Sequence, residues 1–259
     1  MKKIEDIQEL RHIQMGILDD VHRFCETHGI RYFLSSGTLI GAVRHHGYIP
    51  WDDDIDIYMP RADYERFMTE YDGGTDYRVL NPRKEKDYYY TFAKVVDLRT
   101  RMVESETKGF EIGVYMDIFP VDYVSDNLQE RERVFKLKHL LYKIRRCKIA
   151  HENPLHSRLA YLCYRCLLVS VGMLNRWIER LIILKQPTAT VCNMTEAGPK
   201  MKGCFPAEDI ASSVDIDFEG RRYKTMVGYQ DYLTRTYGDY MQLPPEDQRV
   251  THKFEAYWL

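Results

Sequence analysis

Apolar residues at Ile7, Leu10, Ile13, Ile17, Leu18, Val21 and Phe24 recur every three or four positions, the spacing of one helix face. The pattern predicts an amphipathic helix over residues 4–28, with Gly29 as its stop. The run IRYFL at 30–34 reads as a short strand ending in the small-residue turn Ser35-Ser36-Gly37-Thr38. A helix over 38–44 follows, then a loop through His46-Gly47-Tyr48 to Pro50-Trp51. In Asp54-Ile55-Asp56-Ile57 the residue types alternate, and a strand sends alternate side chains to opposite faces. Asp54 and Asp56 therefore share one face, while Ile55 and Ile57 turn toward the core. Pro60 ends this strand, and 61–71 returns to helical spacing.

Further strands are predicted at 77–80, 90–97, 101–103 and 113–120, the last carrying Asp117 alone among apolar neighbours. From 131 to 185 the pattern is helical again, as two or three amphipathic helices. A hairpin with Gly220 at its turn, a helix over 228–237 and an extended tail from Pro244 containing His252 complete the chain. Strands and helices in this order predict an α+β fold with a mixed sheet, flanking helices and a helical insertion. The expected division is a catalytic core at 1–126, a basic insertion at 127–187, and a C-terminal part at 188–259 that completes the core.

Charge changes the picture in one place. The formal net charge is −2, which argues against nucleic acid as a partner held by bulk electrostatics. Yet residues 131–185 hold thirteen Lys and Arg against three Asp and Glu, a local balance of +10 that leaves −12 for the rest. Such a segment is either a solvated helical subdomain or a surface that meets anionic lipid or an anionic acceptor. At 259 residues the chain can bury about three quarters of its unfolded surface. Six scattered cysteines give no zinc-ribbon spacing and demand no oxidising compartment. Neither a signal-peptide core nor a run of eighteen apolar residues is present, so a cytoplasmic protein is expected.

The candidate chemistry lies at 35–60 and at Asp117. Two carboxylates about 7 Å apart along a strand repel each other unless a cation stands between them, so Asp54 and Asp56 suggest a divalent metal site. Asp117 offers a third hard oxygen ligand, and the Ser-Gly turn opening a helix suits phosphate. Two metals in such a cluster would clamp the attacking and leaving oxygens of a displacement at phosphorus. This order of parts is that of a nucleotidyltransferase core, although acidic pairs flanked by isoleucines also occur on plain surface strands. Asp52 shares the parity of Asp54 and either ligates directly, acts through water or orients the loop. Asp53 points the other way and reads as structural.

The longer stretch SSGTLIGAVRHHGYIPWDDDIDIYMPRADYERF closely resembles the signature of the LicD family, bacterial phosphocholine transferases related to the fukutin-type transferases of animals. The segments KVVDLRT, GVYMDIFPVD and FEGRRYKTMVGYQDYLTRTYGDYMQLPP, with Arg249 and His252, fit as well. The resemblance implies a nucleotidyltransferase core that moves a phospho-substituted alcohol from CDP-choline, or a related CDP-alcohol, to a sugar hydroxyl of a glycan or lipid-linked glycan, releasing CMP. It implies Asp54, Asp56 and Asp117 as ligands of Mg²⁺ or Mn²⁺, as two ions. Ser36, Gly37 and Thr38 would hold donor phosphate, with Arg44, Lys94 and His252 beside it. For Arg44 and Lys94 an ordinary structural ion pair is an equal reading, and for His252 a structural histidine. Trp51, Tyr90 and Tyr115 are candidates for a choline cage through cation–π attraction, against plain core packing. Two other readings stay open: transfer of NMP from an NTP, and a non-catalytic module binding metal and membrane. Peripheral membrane contact is expected through 131–185.

Overall fold

The N-terminal helical stripe is realised almost as its pattern predicts. In the computed structural model, which describes residues 1–85, 88–103, 112–150, 154–155, 157–195, 203–249 and 255–259, a short strand β1 (Lys2–Ile4) precedes helix α1 (Ile7–His28). The Asp6 carboxylate accepts from the Gln8 N–H at the start of α1, and Gly29 closes it at φ +60°. Then come β2 (Phe33–Leu34), α2 (Ser36–His45), β3 (Asp56–Pro60), α3 (Arg61–Glu70) and β4 (Tyr77–Leu80). The strands β5 (Ala93–Asp97), β6 (Thr100–Val103) and β7 (Tyr115–Val124) follow.

The strand β7 is the spine of the sheet. Its first half lies between β3, to which it is parallel, and β5, to which it is antiparallel, giving the order β2-β3-β7-β5-β4. Ile57, Val95, Met116 and Ile118 face α1, where they pack with Ile17, Leu18 and Val21 in the main core. Helices α4 (Leu128–Ile149), α5 (Arg158–Cys166) and α6 (Val171–Ile182) form the basic segment. The side chains of Asn127, Ser157 and Ser170 cap their first amides. The chain then returns through β8 (Thr190–Cys192), paired with the far half of β7, and β9 (Cys204–Pro206). A hairpin β10 (Ser213–Phe218) and β11 (Arg221–Met226) leads to α7 (Tyr229–Tyr237). Finally β12 (Glu255–Trp258) lies between β1 and β6 in a separate three-stranded sheet. The architecture is α+β, as expected.

Two strand boundaries differ from the sequence reading for the same reason. The acidic strand starts at Asp56 rather than Asp54, because the carbonyls of Asp52 and Asp53 are taken by Arg11 (2.7 Å) and the Gln14 amide (2.8 Å) of α1. The strand expected from Tyr90 starts at Ala93, because the carbonyls of Tyr88, Tyr89 and Tyr90 all accept from the Arg145 guanidinium of α4. A carbonyl bonded to a side chain is not offered to a neighbouring strand.

Candidate active site

Strand register brings three charged residues into one row. Asp56 of β3 stands opposite Asp117 of β7, and Asp117 stands opposite Lys94 of β5. Paired residues on neighbouring strands point to the same face, so all three turn away from α1. The Lys94 ammonium lies 2.6 Å from Asp117 Oδ1 and is only 1 % exposed. Aromatic rings enclose it, Tyr115 at 3.3 Å, Tyr90 at 4.1 Å and Phe92 at 5.4 Å from ring centre to Nζ. Farther along this face the sheet becomes apolar, with Phe119 packed against Tyr58 and Phe92, and Tyr58 against Tyr232 of α7.

The approach to β3 keeps the alternation seen in the sequence. Asp52, Asp54 and Asp56 are half-buried, while Asp53, Ile55 and Ile57 between them are buried. Arg11 ties this segment down by donating to the carbonyls of Ile49, Pro50 and Asp52 while its guanidinium covers the Tyr48 ring. The segment 49–53 is thus held by its backbone, which leaves its alternate carboxylates directed by strand geometry.

The small-residue turn sits against the same row. The Ser35 N–H donates to the Asp56 carbonyl, and the Asp56 N–H donates to the Thr38 hydroxyl at 2.9 Å. Ser36 has φ +50°, a left-handed conformation unusual for a residue with a side chain. Gly37 is closely approached: a Cβ there would lie 2.6 Å from Asp52 Oδ2, so the carboxylate would have to move. The Asp52 carboxylate therefore stands over the first turn of α2, where negative charge is favoured. The Ser35 hydroxyl is buried with no hydrogen-bond partner among the described residues.

Helix α7 closes the other side. The Tyr232 hydroxyl donates to the Tyr58 hydroxyl at 3.2 Å, and both Tyr232 and Tyr237 reach Ser36 at the start of α2. Burial pushes both tyrosines far above the ordinary phenol range, and the nearby Asp56 carboxylate adds to this at Tyr237. Neither residue stood out in the sequence, where twenty tyrosines hide any single one. Arg145 was equally hidden, as one basic residue among many in α4. It is buried, donates to three consecutive carbonyls and to Asn175 Oδ1, and holds the Tyr88-Tyr89-Tyr90 segment that walls Lys94. Burial lowers its pKa to about 10.

The remaining candidates fall elsewhere or have other partners. Arg44 donates to the carbonyls of Tyr240 (2.7 Å) and Gln242 and to His45 Nε2, fastening the segment after α7, and burial lowers its pKa. Trp51 lies beneath the Arg249 guanidinium, 4.8 Å from ring centre to Cζ. His252 lies outside the described residues. Among the described residues no three His, Cys, Asp or Glu side chains form a ready-made metal cage. The carboxylate row instead fits an ion that takes one or two carboxylates and completes its shell with substrate phosphate, the habit of Mg²⁺. The orphaned Ser35 hydroxyl beside it fits a ligand oxygen at the turn.

Comparison with known proteins identifies relatives of the chain. The family model for the LicD/FKTN/FKRP nucleotidyltransferase domain matches residues 29–158, which include α2, β3, β5 and β7. The lipopolysaccharide cholinephosphotransferase LicD of Haemophilus influenzae is 35% identical over 270 residues, covering 100% of both chains. An uncharacterized protein of Rickettsia typhi is 28% identical over 114 residues, 43% of this chain and 35% of that one. The human ribitol 5-phosphate transferase FKRP is 53% identical over 32 residues, 12% of this chain and 6% of that one.

Proposed function

This chain belongs to the LicD family, and we propose that it transfers phosphocholine from CDP-choline to a sugar hydroxyl of a glycan or lipid-linked glycan, with release of CMP. That it is a transferase of phospho-alcohol groups follows from the full-length relationship. The observation that supports the finer reading is the in-register row Asp56, Asp117 and Lys94 beside the helix-opening turn at Ser36.

In this reading a nucleotidyltransferase-like core binds the donor diphosphate at the turn, where the Ser35 hydroxyl and the first amides of α2 meet its oxygens. Asp54, Asp56 and Asp117 would hold Mg²⁺ or Mn²⁺, with Asp52 next to them, and the ions would neutralise the diphosphate charge. Lys94 orients Asp117 through the 2.6 Å ion pair, beside the place where negative charge develops. The acceptor hydroxyl passes its proton to Asp117 as its oxygen bonds to the distal phosphorus. The bond from that phosphorus to the bridging oxygen breaks, and CMP departs with the electron pair. No covalent enzyme intermediate is required, since positioning and electrostatics suffice for phosphoryl transfer.

The experiment is CMP release from CDP-choline with Mg²⁺ and a glycan acceptor, in wild type, Asp56→Ala and Asp117→Ala. Loss of turnover in both variants, with an intact fold by circular dichroism, is the expected outcome, and unchanged turnover in either would sink the assignment. The segment shared with FKRP favours one second reading, a ribitol phosphate head group. CDP-ribitol and CDP-glycerol run beside CDP-choline separate the two. Pyrophosphate release from an NTP would instead identify a nucleotidyltransferase.

A further inference from the structure

The basic segment divides into two parts that do different things. Helix α4 is a strut: its Phe135 and Cys147 are buried, Lys138 donates to the Met194 carbonyl, and Arg145 reaches the Tyr88-Tyr89-Tyr90 carbonyls. The pair α5 and α6 is organised in the opposite sense. Helix α6 turns Leu174, Ile178 and Ile182 inward, yet its outer stripe is Met173, Arg176, Trp177 and Arg180, all exposed. These positions share one helix face by their spacing of three and four. Helix α5 buries no residue at all, and Leu159 and Leu162 are exposed on it. The corner between the two helices ends in Leu168, which is fully exposed.

Arginine interleaves with these apolar side chains. Arg158, Arg176, Arg180 and Lys185 form no ion pair among the described residues, and the only acidic residue between 157 and 185, Glu179, is paired with Arg83 at 2.6 Å. An exposed face of leucine, methionine and tryptophan carrying uncompensated positive charge matches one surface in both respects. The acyl and headgroup boundary of an anionic bilayer accepts the apolar side chains, and lipid phosphates accept the arginines. Tryptophan favours that boundary because its ring is amphipathic. Among the described residues no helix is long and apolar enough to cross a membrane, so the contact is one of lying on the surface.

We infer that the outer face of α5 and α6, from Arg158 to Lys185, docks on an anionic phospholipid surface, with Leu159, Leu162, Leu168 and Trp177 entering the boundary and the arginines meeting lipid phosphates. The binding readout is independent of turnover, so it stands or falls separately from the proposed reaction.

The full chain is sedimented with vesicles of phosphatidylcholine alone and of phosphatidylcholine with phosphatidylglycerol, at rising salt. Binding is expected only with phosphatidylglycerol, weakening with salt, and accompanied by a blue shift of tryptophan emission that Trp177→Phe removes. Each of Arg158→Gln, Arg176→Gln and Arg180→Gln is expected to weaken partition roughly fivefold. The combined Leu159→Glu, Leu162→Glu and Leu168→Glu variant should lose binding while keeping its thermal melt, since all three side chains are already exposed. Equal binding to both vesicle types, or unchanged binding of the triple variant, overturns the inference. So does a dimer that the same substitutions disperse in the absence of vesicle binding, which would mean that a second copy covers this face.

Discussion

Lys94 makes three kinds of contact at once: an ion pair, two close aromatic faces and near-complete exclusion from water. The π-faces of the rings and the carboxylate oxygen surround Lys94 Nζ where water cannot reach it. Tyr90 and Tyr115 thus already hold a cation, one that belongs to the chain itself. Lys94→Met strips Asp117 of that partner and is expected to lower turnover by about 10²–10³-fold. It should also destabilise the fold by roughly 3 kcal/mol, an effect that Asp117→Asn in the same molecule partly relieves. Turnover and urea unfolding of the two single variants and the double variant measure both effects. At Gly37 two terms compete. Alanine gains up to about 1 kcal/mol in helix propensity, while its Cβ must push the Asp52 carboxylate from its place over α2. The expected result for Gly37→Ala is a melting temperature near wild type with a raised KM for donor, and an unchanged KM would deny Asp52 any part in binding.

At the scale of elements, α4 is where position in the sequence and role in the structure are farthest apart. Its charge reads as a solvated or lipid-facing helix, yet Arg145 closes three carbonyls of the wall beside Lys94 from more than fifty residues away. Arg145→Ala leaves those carbonyls without their donor and is expected to cost about 3–4 kcal/mol in urea unfolding. Arg145→Lys, which keeps the charge but loses the fork, should recover only part of it. The periodic elements were legible beforehand. The α1 stripe, the alternating Asp54 and Asp56, the strand carrying Asp117 and the hairpin turning at Gly220 each follow from local spacing. Pairings were not. No local signal says that β3 runs parallel to β7, that β12 sits between β1 and β6, or that Tyr232 and Tyr237 reach Ser36, because those facts depend on packing across the chain. The candidate site was therefore legible as a set of residue types, Lys94 among them, but not as the row in which the strands align them.

For the molecule as a whole, buried positive charge ties stability to pH. Lys138 is fully buried, and desolvation lowers its pKa to about 8. Between pH 8 and the ordinary lysine value the unfolded chain binds more protons at this site than the folded one, so stability rises with pH across that window. Lys138 should therefore add a rise of roughly 1–2 kcal/mol in urea unfolding free energy between pH 7.5 and 9.5, set against the loss from the buried Cys25 thiol, which ionises in the unfolded chain over the same window. Lys138→Met is expected to flatten this rise, and a rise of equal size in the variant would assign it to other groups. The parallel pairing of Asp56 with Asp117 also has a consequence in time. The two residues are separated by α3, β4, β5 and β6, and the wall at Tyr232 is made more than a hundred residues later still. Local helices form in about a microsecond, whereas pairing of distant strands waits for slow closure of long loops. During refolding, or while the chain emerges during synthesis, helical signal should thus appear well before the ability to cleave donor. A half-made chain would carry every aspartate of the proposed centre and still be inert.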